Sequence, residues 1–221
     1  MTRVHMVTRL LLFNVLLFAM CAFPASSKPA STLRIVAFGD SLTAGFMLPP
    51  ESSFPAQLER ALKAKGHAVE IVNAGVSGDT TGAALERFDW AFGEPADAAI
   101  VELGANDALR GQSPGIARRN LDEILTRLGN KQIAVLVAGM TAPRNWGPAY
   151  VQEFEAIFPD LARKHDALLY PFFLDGVALD ASLNLPDGLH PNARGIAAIV
   201  SRILPQVETL IARARSRRAA N

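Results

Sequence analysis

Leu33-Arg34-Ile35-Val36-Ala37-Phe38-Gly39-Asp40-Ser41-Leu42 decides how this chain is read. Its first six residues are a short apolar, β-branched run closed by glycine, the pattern of a buried strand. A serine placed just past such a strand stands at the carboxyl edge of a sheet, where open α/β sheets bind their ligands. Ser41 is therefore a nucleophile candidate, provided a histidine and an acid arrive from elsewhere. Pro186-Asp187-Gly188-Leu189-His190-Pro191 supplies both.

Outward from this stretch, apolar strand runs recur at 68–73, 98–103, 133–138 and 167–170. Helical spacing falls between them, at 54–65 before Gly66, at 82–92 with Asp79 or Thr80 as cap, at 115–128 and at 148–165. A last helix is expected after Pro191, running past Ile199 and Leu204, with Pro205 kinking it. Strands apolar throughout belong in a parallel sheet covered on both faces. Right-handed crossovers then give an α/β fold, a three-layer α/β/α sandwich around a five-stranded parallel sheet. All the loops that follow strands gather at one edge.

The chain has 221 residues, half of them hydrophobic, and a net charge of +1. This suits one domain with a full-sized core and gives no electrostatic footprint for a nucleic-acid partner. Arg3 and Arg9 precede an apolar run over residues 10–23, interrupted by Asn14. The run is short for a bilayer span and right for the core of a signal peptide. The expected organisation is a leader over 1–27, one domain over 28–212 and a frayed, solvated basic tail over 213–221. Such a product is periplasmic or secreted, with no stable membrane insertion once the leader is gone. Cys21, the only cysteine, falls in the leader, so the mature chain owes nothing to disulfides.

The loops at the shared edge carry a coherent set of groups. They hold Gly39-Asp40-Ser41, then Asn73 to Asp79 with Gly78, then Gly104-Ala105-Asn106-Asp107, and finally Asp187 with His190. These are the components of acyl transfer. A hydroxyl at neutral pH needs a base, and neutral His190 can take its proton and later pass it on. Asp187, close by in one local turn, can hold the other ring nitrogen. The developing oxyanion needs fixed donors, which the amides of Ser41 and Gly78 and the side chain of Asn106 can supply. Ala108-Leu109, Trp146 and Tyr150 are expected to line an acyl groove.

In order, Gly39-Asp40-Ser41-Leu42, the Gly78 segment, Gly104-Ala105-Asn106-Asp107 and Asp187-x-x-His190 resemble the four sequence blocks of the GDSL (SGNH) hydrolases. The resemblance runs from about Leu33 to Leu210. It is strongest toward the exported bacterial acyl-CoA thioesterase I, lysophospholipase and arylesterase group. Asn73-Ala74, Ser77-Gly78-Asp79-Thr80, Val101-Glu102-Leu103-Gly104, Leu109-Arg110-Gly111 and Tyr170-Pro171-Phe172-Phe173 carry that closer match. It implies a flavodoxin-like sheet, Ser41 as nucleophile, Gly78 and Asn106 as oxyanion donors, and Asp187 with His190 completing the machinery. Ala105 departs from the family pattern, which often has glycine before the asparagine.

Other signals read as structure. Gly111-Gln112-Ser113-Pro114-Gly115 matches a nucleophile elbow, but that turn needs a strand directly before it. Ser113-Pro114 reads instead as a helix N-cap followed by proline. Glu102, a carboxylate in an apolar strand, must be paired or hydrogen-bonded and is expected to support a nearby loop. Asp79 and Asp107 read as caps and braces. Without cysteine or histidine clusters, neither metal nor other cofactor is expected. The expected protein is a monomeric serine esterase or thioesterase acting on a small-molecule ester through an acyl-enzyme. The residues alone also leave open a carbohydrate acetylesterase and a non-catalytic acyl or lipid carrier on a retired hydrolase scaffold.

Overall fold

The computed structural model describes residues 31–220; the expected leader and Cys21 lie outside them. Strands β1 (Leu33–Gly39), β2 (Val69–Gly75), β3 (Ala98–Glu102), β4 (Ala134–Ala138) and β5 (Leu168–Tyr170) form one parallel sheet in the order β2-β1-β3-β4-β5. The interior strands β1, β3 and β4 are buried at nearly every position, which is why they read apolar without alternation. Edge strand β2 alternates, with Glu70 and Asn73 exposed.

Helices cover both faces. On one side α2 (Phe54–Ala64) packs on α9 (Ala193–Ala220). On the other, α6 (Pro114–Asn130) packs between α3 (Thr81–Glu86) and α8 (Ile157–Lys164). By length and composition α9 could cross a membrane. Its stripe of Ile196, Ile199, Val200, Ile203, Val207, Leu210 and Ile211 is instead buried at helical spacing in the domain core.

The expected helix over 82–92 divides at Arg87 into α3 and α4 (Phe88–Ala91). The one over 148–165 divides at Ala156 into α7 (Pro148–Glu155) and α8. One-turn helices α1 (Ser41–Ala44) and α5 (Ala105–Leu109), too short to show a periodicity, follow β1 and β3. Helix α9 is continuous across Pro205.

The basic segment expected as a frayed tail is corrected to the last turns of α9. Three of its four arginines find partners remote in sequence: Arg217 donates to the Ile133 carbonyl (2.9 Å) and Arg213 to that of Asp166 (2.8 Å). Arg218 grips Asp97 through Nε (3.0 Å) and Nη2 (3.1 Å). Cations in a final helical turn are also favoured by the helix dipole. Arg218→Ala is expected to cost about 0.5–1 kcal/mol, since the pair is half-exposed, and to lower Tm by about 1–4 °C. An unchanged melting curve would return the segment to a loose end.

Candidate active site

The turn that presents Ser41 is built by close approach. A Cβ on Gly39 would lie 2.1 Å from Thr43 Oγ1 and 2.7 Å from the Glu102 carbonyl, so glycine alone lets the chain turn here against β3. Asp40 caps α1, its carboxylate accepting from the Leu42 amide at 3.0 Å. Ser41 opens that helix and is 8% exposed.

The histidine arrives on a self-contained turn before α9. Asp187 Oδ1 accepts from the amides of Leu189 (2.9 Å) and His190 (3.0 Å). Its Oδ2 lies 2.7 Å from His190 Nδ1. These two amides and the imidazole hold the Asp187 carboxyl down at about 2, so it is ionised and accepts only. Nδ1 therefore carries the ring proton, which leaves Nε2 as acceptor 2.9 Å from Ser41 Oγ. Phe46 packs against the imidazole with centroids 4.5 Å apart, a neighbour that no sequence motif announced.

Asn106, on α5, donates from Nδ2 to Asp40 Oδ2 (3.1 Å) and to the Asp79 carbonyl (2.9 Å). It thus joins the nucleophile turn to the loop holding Gly78, whose φ of +89° suits glycine. Asp107 braces α3 from the same helix, accepting from the Thr81 amide (2.8 Å) and hydroxyl (2.6 Å).

A cavity of about 640 Å³ opens beside Ser41, Asn106 and His190. Leu42, Leu109, Met140, Ala142, Phe172 and Leu174 give it mostly apolar walls. Leu109 is where the sequence reading put it, but Trp146 and Tyr150 are not in the lining. Trp146 Nε1 donates to the Ala108 carbonyl (2.8 Å) and Tyr150 Oη to that of Gln112 (2.7 Å), so they brace the end of α5 and the loop after it. Ser113 does precede Pro114 at the start of α6, although its hydroxyl makes no capping bond. A smaller cavity of about 300 Å³, near Leu125, Ile133 and Arg217, holds none of this chemistry.

Beneath the turn sit two fully buried carboxyls. Glu102 Oε2 accepts from Thr43 Oγ1 at 2.7 Å, the loop support expected of it. Desolvation, then the charge of Asp40, pushes Glu102 well above the carboxylate range. Desolvation likewise raises Asp40, to about 6, against the pull of the Leu42 amide, His190 and Asn106.

A hydroxyl, an imidazole and a carboxylate bonded in series at the carboxyl edge of a parallel sheet, beside an apolar cavity, define a serine hydrolase of the three-layer α/β/α class. Residues 37–198 match the GDSL-like Lipase/Acylhydrolase family, and the chain belongs to it. It is 36% identical over 182 residues to an arylesterase of Vibrio mimicus, covering 82% of this chain and 88% of that one. To the thioesterase 1/protease 1/lysophospholipase L1 of Escherichia coli it is 34% identical over 183 residues, with 82% and 86% covered. Among solved structures, AlinE4, an SGNH-hydrolase family esterase, matches with a TM-score of 0.69 at 48% identity, over 80% of this chain and 96% of that one.

The raised Asp40 carboxyl sets a pH dependence of stability. Its folded pKa exceeds the unfolded one, so its contribution is full below about pH 4 and is lost as pH rises through about 6. Lowered acids such as Asp187 act in the opposite sense, losing their contribution as pH falls below 4, and cancel on comparison with Asp40→Asn. The wild-type Tm minus that of Asp40→Asn is expected to shrink steadily between pH 4 and 6. A difference that is flat or grows would contradict the burial argument.

Proposed function

We propose that the chain is an exported serine esterase or thioesterase that works through an acyl-enzyme on Ser41. The observation carrying this reading is the continuous series Ser41 Oγ–His190 Nε2 (2.9 Å) and His190 Nδ1–Asp187 Oδ2 (2.7 Å). Ser41 Oγ attacks the carbonyl carbon while its proton passes to Nε2. The imidazolium so formed is stabilised by ionised Asp187. The carbonyl oxygen, now an oxyanion, takes hydrogen bonds from the amides of Ser41 and Gly78 and from Asn106 Nδ2. The longer of the Asn106 bonds, to Asp40 at 3.1 Å, is the one the oxyanion shares.

Collapse of the intermediate breaks the bond to the alcohol or thiol, which leaves with the proton from Nε2. Water then attacks the acyl-enzyme, giving its proton to the same nitrogen, and the carboxylic acid departs as Ser41 recovers its hydrogen. No step calls for a cofactor. The apolar cavity favours an aliphatic or aromatic acyl chain and argues against the carbohydrate acetylesterase reading, whose ligand would bring hydroxyls to these walls. The apolar run after Arg3 and Arg9 supports export to the periplasm or medium.

Ser41→Ala and His190→Ala are each expected to lower kcat on p-nitrophenyl esters by at least about 10⁴-fold, the first at unchanged Tm, with the double variant falling little further. Wild-type turnover by Ser41→Ala would end the proposal. Across a chain-length series, kcat/KM is expected to be higher for octanoyl than for acetyl esters. A Leu109→Asp substitution should weaken that preference, because it replaces apolar wall with a hydrated carboxylate that an alkyl chain gains nothing by covering.

A further inference from the structure

Arg87 lies at the break between α3 and α4 and has no part in the chemistry above. Its side chain nevertheless turns inward and is 16% exposed. The guanidinium rests 4.6 Å over the Phe38 ring on β1. Nε donates to Asp79 Oδ2, and Nη2 donates to the Gly39 carbonyl at 2.9 Å. One planar fork thus ties the residue after Gly78 to the residue two before Ser41.

The same two points are joined from other directions. The Val76 amide also donates to the Gly39 carbonyl (3.1 Å), and Asn106 Nδ2 to the Asp79 carbonyl (2.9 Å). Arg110 Nη2 donates to the carbonyl of Gly78 (3.0 Å). Every oxyanion donor named above therefore stands within two residues of, or is bonded to, a group that Arg87 or its partner Asp79 holds. A mostly buried ion pair gives little net stability relative to an apolar pair of the same volume. What it does fix is geometry, because its two bonds have directions.

We propose that Arg87 is a positioning residue for the oxyanion hole, clamping the Gly78–Asp79 loop to the end of β1 so that the donors from three loops converge. The assignment rests on the hydrolase reading. Its consequence is selective. Loosening the clamp misplaces donors that matter most in the tetrahedral intermediate, whereas the apolar wall of Met140, Ala142, Phe172 and Leu174, which follows β4 and β5, keeps its grip on substrate.

The test is steady-state kinetics of the full chain on an octanoyl ester, with enzyme concentration set by fluorophosphonate titration so that misfolded molecules do not count. Arg87→Gln is expected to lower kcat about 10- to 100-fold, the scale of a small misplacement of a catalytic group, with KM within about twofold. Arg87→Lys, able to meet Asp79 but not the Gly39 carbonyl as well, should fall in between. Asp79→Asn should follow Arg87→Gln, and the double variant should cost no more than the worse single one. A kcat per titrated site equal to wild type in Arg87→Gln, or a loss confined to KM or Tm, overturns the proposal. Ser41→Ala in parallel separates the failures. If it retains turnover, the hydrolase reading falls and takes this proposal with it; if it is inactive while Arg87→Gln runs at full rate, only the clamp is wrong.

Discussion

Strands that all run one way all end on one edge, and the site depends on that constraint. β1 lies between β2 and β3, so the chain winds out to β2 and must then cross back over β1 to begin β3. The loops after β1 and β3 diverge, and a crevice opens above the two strand ends. Ser41 stands over one of them and Asn106 over the other. Asp40 and Asn106, 66 residues apart in sequence, reach hydrogen-bond distance because their strands are neighbours, without a long loop.

Convergence that tight leaves little room and forces charge inward. The turn meets β3 so closely that Gly39 has no space for a methyl group, and Glu102 lies directly beneath it against Thr43. Two carboxyls out of water oppose folding, which an apolar pair would not do. The compensation is direction: the Asp40 carboxylate aims at the Leu42 amide and Asn106, and the Glu102 carboxyl at the Thr43 hydroxyl. Methyl groups could fill the same volume, yet they would leave the turn free to tilt. Stability given up beneath a turn in exchange for a fixed orientation is a common pattern at functional sites.

The sheet was legible because β1, β3 and β4 are buried on both faces and so carry unbroken apolar runs. That these loops meet at one edge was legible because each motif directly follows a strand or lies within one local turn. What escaped the sequence was decided by partners far along the chain. The break at Arg87 has no glycine or proline to mark it; its side chain is drawn inward by Asp79 and the Gly39 carbonyl. Arg213, Arg217 and Arg218 look like a solvated tail until Asp166, Ile133 and Asp97 are in place beside them. Trp146 and Tyr150 sit after the fourth strand as expected, but their polar atoms are spent on the carbonyls of Ala108 and Gln112. Position along a chain predicts which edge a residue occupies, and not which way its side chain turns.

The two bonds of the hydroxyl–imidazole–carboxylate series differ in what holds them. Asp187 and His190 are three residues apart in one turn, fastened by amide bonds that the turn itself supplies. Ser41 and His190 are 149 residues apart, one fixed by β1 and the other by the start of α9. The turn is tied to that start: Asn192 accepts from the amides of Arg194 and Gly195, and Leu185 donates to the His190 carbonyl. The position of the imidazole relative to the Ser41 hydroxyl is therefore set by how the apolar stripe of α9 seats in the core. A defect in that packing leaves the acid–base pair intact and lengthens the 2.9 Å contact to Ser41. Proton transfer is sensitive to distances of this size. Turnover should thus register a shift of α9 well before secondary structure is lost.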